Sequence, residues 1–316
     1  MASLFSSTEA PAGAAGATFS KRINTLDRRR GITGIGLTLP ALLVLGATML
    51  YPVAWTVWLS LNGPNTALRG TPDFKGLGNY ARIVASGEFQ TALGQTLGLV
   101  AASFVLEAVI GLAVALALHR GLKGSKIFSA IVALPLMVAP VVGALAWRFI
   151  FGDGYGMIDS LAGLFGGSGP LWFADIWLAR ASIVIANLWM ALPFDILVLL
   201  AGLASLPTDP LEAALVDGAS PRQILVTIIL PLLKPVIAVI LVVRLADAFR
   251  IFDTVYVLTG GGPANSTDVL STYIYRQMFT VFDFPGGAAA AVLLVLITAG
   301  FSLLAVLALR DRVREG

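Results

Sequence analysis

Leu206-Pro-Thr-Asp-Pro-Leu-Glu212-Ala-Ala-Leu-Val-Asp-Gly218-Ala-Ser-Pro-Arg-Gln-Ile-Leu-Val-Thr-Ile228-Ile-Leu-Pro231 lies between two long apolar runs, 179–204 and 235–258. Its punctuation predicts helices. Thr208 or Asp209 can cap a helix start, and Pro210 suits the first turn. A helix over about 210–217 stops at Gly218, the residue type best suited to a left-handed cap. Ser220-Pro221 then opens a second short helix in the same way. The stretch therefore reads as two short helices joined by a tight glycine turn, a compact knob held close to whatever solvates the apolar runs.

Composition identifies that solvent. Hydrophobic residues make up 57% of the 316 positions and charged residues only 12%, and mean hydropathy is +0.87. A soluble chain carries about a quarter charged residues, so runs this apolar need lipid around them. Apolar runs at about 32–61, 91–118, 127–150, 179–204, 235–258 and 286–309 are each long enough to cross a hydrocarbon core of about 30 Å at a rise of about 1.5 Å per residue. The predicted fold is an all-α polytopic membrane protein with six transmembrane helices. Pro40 and Pro52 predict a kink or break in the first span. The sequence has no cysteine and one histidine, His119, which excludes disulfides, thiol catalysis and a histidine metal cluster.

Basic residues set the orientation. With the N-terminus inside, Lys21, Arg22, Arg28, Arg29, Arg30, Arg120, Lys123, Lys126, Arg222, Lys234, Arg310, Arg312 and Arg314 fall in cytoplasmic segments. Arg69, Lys75, Arg82, Arg148, Arg180 and Arg276 fall outside. That is roughly a two-to-one inward bias, so both termini are expected in the cytoplasm. This charge pattern explains the basic pI without invoking nucleic acid. Residues 1–30 read as a disordered basic cytoplasmic tail. A signal peptide is the competing reading, but the apolar run after it is too long for an h-region. Residues 31–316 then form the transmembrane domain, with the cytoplasmic loop at 205–234. No phosphate-binding loop of the Gly-x-x-x-x-Gly-Lys-Ser/Thr kind occurs, so ATP acting on this protein must be bound by another chain.

Glu-Ala-Ala, three residues, Gly, nine residues and Ile-x-Leu-Pro is the spacing of the cytoplasmic signature of binding-protein-dependent ABC importer permeases, and 212–231 resembles it at every defined position. The resemblance continues through Tyr51-Pro52, Trp58-Leu59-Ser60-Leu61, Gly76-Leu77-Gly78-Asn79-Tyr80, Asn187-x-Trp189, Pro193-Phe194 and Leu258-Thr259-Gly260-Gly261-Gly262-Pro263. These segments are similar to the sugar permeases of the maltose, trehalose and glycerol-phosphate type, specifically the maltose F-like partner. The resemblance implies the type I importer fold in the cell membrane, transport without catalysis, and no cofactor on this chain. It implies a second homologous permease, two ATPase subunits that bind ATP and Mg, and an extracytoplasmic sugar-binding protein. It also implies that Glu212, Ala213, Ala214, Asp217, Gly218, Ala219 and Ser220 dock the ATPase.

Charged groups in hydrocarbon mark functional positions. Arg244, Asp247, Arg250 and Asp253 are spaced at intervals of three with alternating sign. On one continuous helix each step drifts by about 60°, so the four form a spiral and cannot all line one pocket. Arg244, Asp247, Ala248 and Ile251 share a sector of about 100°, about 14–24 Å from Pro235 along the helix. Maltose-type permeases hold sugar at positions matching Arg244, Ala248 and Ile251, and Asn187, Met190, Ala191 and Phe194 in the fourth span. Arg244 and Ile251 depart from the polar side chains of the maltose protein. Arg244 beside Asp247 suits the hydroxyls of a neutral sugar, trehalose being the first expectation; an uncompensated arginine would suit a phosphate. Arg250 and Asp253 are open between this pathway and pairing with the partner permease. Glu107 and Asp195 are expected to tie helices together. Tyr256, near the outer end of its span, is read as an interfacial anchor. An ion-coupled secondary transporter and a membrane-embedded enzyme are the rival classes, and neither explains the docking loop.

Overall fold

A computed structural model describes residues 38–64, 70–71, 73–121 and 124–314. The expected tail at 1–30 lies outside the described residues. The chain divides into two compact units, Met1–Thr56 and Val57–Gly316. Among the described residues the regular structure is helical, and the one β-bridge is the isolated pair Asn62 and Phe74. Five helices among the described residues are long and apolar enough to cross a membrane, and a bent pair supplies a sixth if it is one span.

Helix α1 (Thr38–Ser60) is apolar and runs unbroken through Pro52. Of the expected kink or break, the break is absent. Within the second unit, α2 (Gly78–Ala85) is a short amphipathic helix, and α3 (Gly87–His119) is a long span. Ser86 caps α3 by accepting from the Phe89 amide. Tyr80 and Asn79 of α2 bind the segment at the end of α1: the Tyr80 hydroxyl lies 2.6 Å from the Ser60 hydroxyl, and the Asn79 amide donates to the Ser60 and Asn62 carbonyls.

The third apolar run is not one straight span. It comprises α4 (Ser125–Ala133) with a 3-10 turn (Leu134–Met137), then α5 (Pro140–Phe151). The two halves meet at 103°. Val138 and Ala139 are extended at the break, with ψ of 129° and 139°. A residue preceding proline is pushed out of the α region by the ring, and Pro140 cannot donate a helical hydrogen bond.

After helix α6 (Met157–Leu164), α7 (Ile176–Ala204) is the most enclosed of the five continuous spans, half buried along its apolar stretch. Asp175 caps it through the Trp177 and Leu178 amides. Near its C-terminal end, buried Ala115, Leu199, Leu203, Leu233 and Ile240 join three spans in one apolar cluster.

The loop between the fourth and fifth apolar runs contains α8 (Asp209–Val216). The second short helix expected after Gly218 is instead the start of a long one. The helix opened at Pro221 continues through to Ala248, as α9 (Pro221–Ile224), a π turn (Leu225–Ile229) and α10 (Leu230–Ala248). The wide turn sits just before Pro231, whose ring would crowd the carbonyl four residues back. The fifth span also stops early. It ends at Ala248, and a separate short α11 (Asp253–Leu258) succeeds it. Beyond it lie α12 (Leu270–Phe279) and the final span α13 (Phe284–Arg314).

Candidate functional site

The interruption between α10 and α11 creates the central cavity. No proline or glycine lies in 249–252; the break is held from elsewhere in the fold. Phe249 is buried and its ring lies 5.5 Å from Phe301. The Ser271 hydroxyl donates to the Ile251 carbonyl, 3.0 Å, satisfying a backbone acceptor that the interrupted helix leaves free.

The cavity measures about 250 Å³ and is lined by Asn187, Met190 and Ala191 of α7, by Arg244, Asp247 and Ala248 of α10, and by Arg250, Ile251, Phe252, Asp253, Thr254 and Pro140. Seven of the eight expected pathway residues thus meet in one place; Phe194 is not among the lining residues. The expectation that the four charges at 244–253 cannot share a pocket is overturned. They line the same cavity because the helix breaks, re-aiming Arg250 and Asp253. Pro140 and Phe252 join the site without having been expected there. Pro140 arrives through the 103° bend, which its own ring signals.

Arg244 is the centre of the polar network. Its Nε donates to Glu107 Oε2 and its Nη2 to Glu107 Oε1, both at 3.2 Å. Asp195 Oδ1 lies 3.6 Å from Nε, and Asp247 Oδ2 lies 3.7 Å from Nη1. Asn187 donates to Glu107 Oε1 at 3.2 Å. Glu107 and Asp195 are 4% and 2% exposed, whereas the Asp247 side chain is 53% exposed. The principal partner of Arg244 is therefore Glu107 on α3, not the neighbouring Asp247. One guanidinium ties α3, α7 and α10 together, because a fork of N–H donors can satisfy a carboxylate at two points. Counting Asp253 and Arg250, four acids surround or line the cavity against two arginines.

In the loop between α7 and α9, Gly218 has φ +74°, and a Cβ placed there meets nothing within 4 Å. Conformation, not crowding, is what requires glycine. The amides of Gly218 and Ala219 bond the Leu215 and Ala214 carbonyls at 3.1 and 2.9 Å, the paired pattern that closes a helix through a left-handed residue. Ser220 forms a capping box with Gln223, which satisfies both an amide of the next helix and its own. Thr208 occupies the cap position of α8 but makes no side-chain cap bond. Glu212, Ala213, Asp217 and Ser220 are exposed, Ala214 and Ala219 partly so, and Leu215 and Val216 expose 64% and 87% of their surface. The loop presents an apolar tip beside two acids.

Residues 107–314 match the family described as the binding-protein-dependent transport system inner membrane component. The trehalose/maltose transport system permease protein MalF of Thermococcus litoralis is 37% identical, the match covering 88% of this chain and 94% of that protein. The trehalose transport system permease protein SugA of Mycobacterium tuberculosis is 39% identical, covering 88% of each. The sn-glycerol-3-phosphate transport system permease protein UgpA of Yersinia pestis is 32% identical, covering 85% of this chain and 90% of that one. The crystal structure of a bacterial ABC transporter involved in the import of the acidic polysaccharide alginate has the same fold, with TM-score 0.78 at 23% identity over 92% of this chain and 99% of that chain. Helix number, loop signature and family match agree: the chain belongs to the permease subunits of binding-protein-dependent ABC importers.

Proposed function

We propose that this permease carries a neutral sugar, of the trehalose-like disaccharide class, into the cytoplasm through the cavity between α7 and α10. The observation that carries the reading is the charge around Arg244. Its fork is taken up by Glu107, with Asp195 and Asp247 close by. An arginine so neutralised offers its remaining N–H groups to hydroxyls and gives a phosphate little net attraction. Asn187 supplies an amide, and Phe252 an aromatic face. A concave site with a few placed polar groups among apolar walls is the usual make-up of a small-molecule pocket. Similarity to permeases named for trehalose and maltose supports the substrate class.

In this reading both termini face the cytoplasm, as the inward excess of Lys and Arg supports. The loop carrying Glu212, Ala213, Ala214, Asp217, Gly218, Ala219 and Ser220 docks on an ATPase subunit. Two such subunits bind ATP and Mg, a second permease completes the pathway, and a sugar-binding protein delivers cargo from outside. ATP-driven closure moves the loop and exposes the cavity alternately to each side. The stiff capping at Gly218 and Ser220 suits a lever that transmits motion.

The experiment is uptake into proteoliposomes by the transporter assembled with its co-encoded ATPase, permease and binding protein. ATP-dependent accumulation of radiolabelled trehalose or maltose, and not of sn-glycerol 3-phosphate, is expected. Accumulation of the phosphate alone would overturn the neutral-sugar reading.

A further inference from the structure

We propose that Phe252, Tyr256, Tyr275 and Phe279 form an aromatic track that passes a neutral sugar between the outer surface and the central cavity. The proposal rests on the sugar reading above. Phe252 lines the cavity. Its ring lies 5.1 Å from Tyr256 and 5.3 Å from Tyr275, and Tyr275 lies 5.1 Å from Tyr256 and 5.0 Å from Phe279. Phe252 occupies the cap position before α11, its carbonyl accepting from the Tyr256 amide at 2.8 Å; Tyr275 and Phe279 lie four residues apart on α12 and so on one helix face. The rings are not sealed in the core: Tyr256 is 46% exposed and Phe279 59% exposed.

A continuous row of partly exposed rings that begins at a cavity of mixed polarity suits an occupant with both kinds of surface. A pyranose ring is such a ligand. Its C–H face lies against an aromatic ring, while its hydroxyls reach polar groups at the edge. Arg250 and Asp253, beside Phe252 in the cavity wall, supply those groups at the inner end. Contacts to single rings are individually weak, which suits a path that must release its cargo at each step.

The test uses the assembled transporter in proteoliposomes, measuring trehalose moved per ATP hydrolysed. Tyr275→Leu and Phe279→Leu should each lower that ratio by about 3–10-fold, the equivalent of one lost ring contact, with assembly and ATP hydrolysis unchanged. Tyr275→Phe keeps the ring and should retain the wild-type ratio. An unchanged ratio in both leucine variants overturns the track. Loss of subunit assembly in those variants also overturns it, by marking the rings as a packing surface. If the wild-type transporter moves neither trehalose nor maltose, the sugar reading itself fails; wild-type transport with unaffected variants sinks the track alone.

Discussion

Arg244 on α10 and Glu107 on α3 are joined at two points, Nε to Oε2 and Nη2 to Oε1, each at 3.2 Å, though 137 residues separate them in the chain. The pair is enclosed, with side-chain exposures of 13% and 6%. Removing one partner of a buried ion pair leaves an uncompensated charge, which costs about 3–5 kcal/mol. The two partners are not equivalent. Arg244→Met strands Glu107 and Asp195 together, whereas Glu107→Gln leaves Arg244 with Asp195 and Asp247. Thermal unfolding of the detergent-solubilised transporter should therefore show a larger loss for Arg244→Met. A milder effect of Arg244→Met than of Glu107→Gln would contradict the assigned network.

The Gly218 turn gives a conformational test. With φ +74° and open space around the position, Gly218→Ala is opposed only by backbone strain, about 1–2 kcal/mol. Asparagine tolerates this conformation better than alanine, so Gly218→Asn should retain more ATP-driven uptake than Gly218→Ala. Equal uptake by the two variants would show that the left-handed turn plays no part in coupling.

Glu212 is exposed in the first turn of α8, where a change of side chain disturbs no core packing. Glu212→Lys should leave folding of this chain intact while abolishing ATP-driven uptake and weakening co-purification of the ATPase. Normal uptake in Glu212→Lys would remove the loop from the docking role.

Gly202 tests the seam between α7 and α10. A Cβ there would lie 2.9 and 3.0 Å from the two Val236 methyl groups. Overpacking a close helix contact costs about 1–3 kcal/mol, so Gly202→Ala should lower the unfolding temperature of the transporter. Val236→Ala added to Gly202→Ala should recover it. Additive losses in the double variant would mean that the helices do not approach as described.

Much of this architecture is legible in the chain because each signal is local. Apolar runs reveal spans by length, and Gly218 and Ser220 mark the loop through their own backbone preferences. The features that the sequence hides depend on distant residues. The helix stops after Ala248 without a proline or glycine, because Phe249 packs on Phe301 and Ser271 takes up the Ile251 carbonyl. No periodicity reports such a break, so a continuous helix puts Arg250 and Asp253 on the wrong sides. Asp247 lies one turn from Arg244 and suggests itself as the partner; the principal partner comes from another span. The bend at Pro140 has a visible cause, but an apolar run conceals its own turning points.

If the cavity around Arg244 is the sugar pathway, cargo must shield its walls, and the absence of cysteine from the chain allows one direct measurement. Ala248→Cys places the chain's sole thiol in the cavity wall, and Val295→Cys places one on α13, where the residue is 66% exposed. The rate of maleimide labelling of this chain would be measured in the assembled, transport-active complex, with and without trehalose-loaded binding protein and ATP. Trehalose should slow labelling at Ala248→Cys and leave Val295→Cys unaffected. Unchanged labelling at Ala248→Cys during active trehalose uptake would contradict the assignment of this cavity to the sugar.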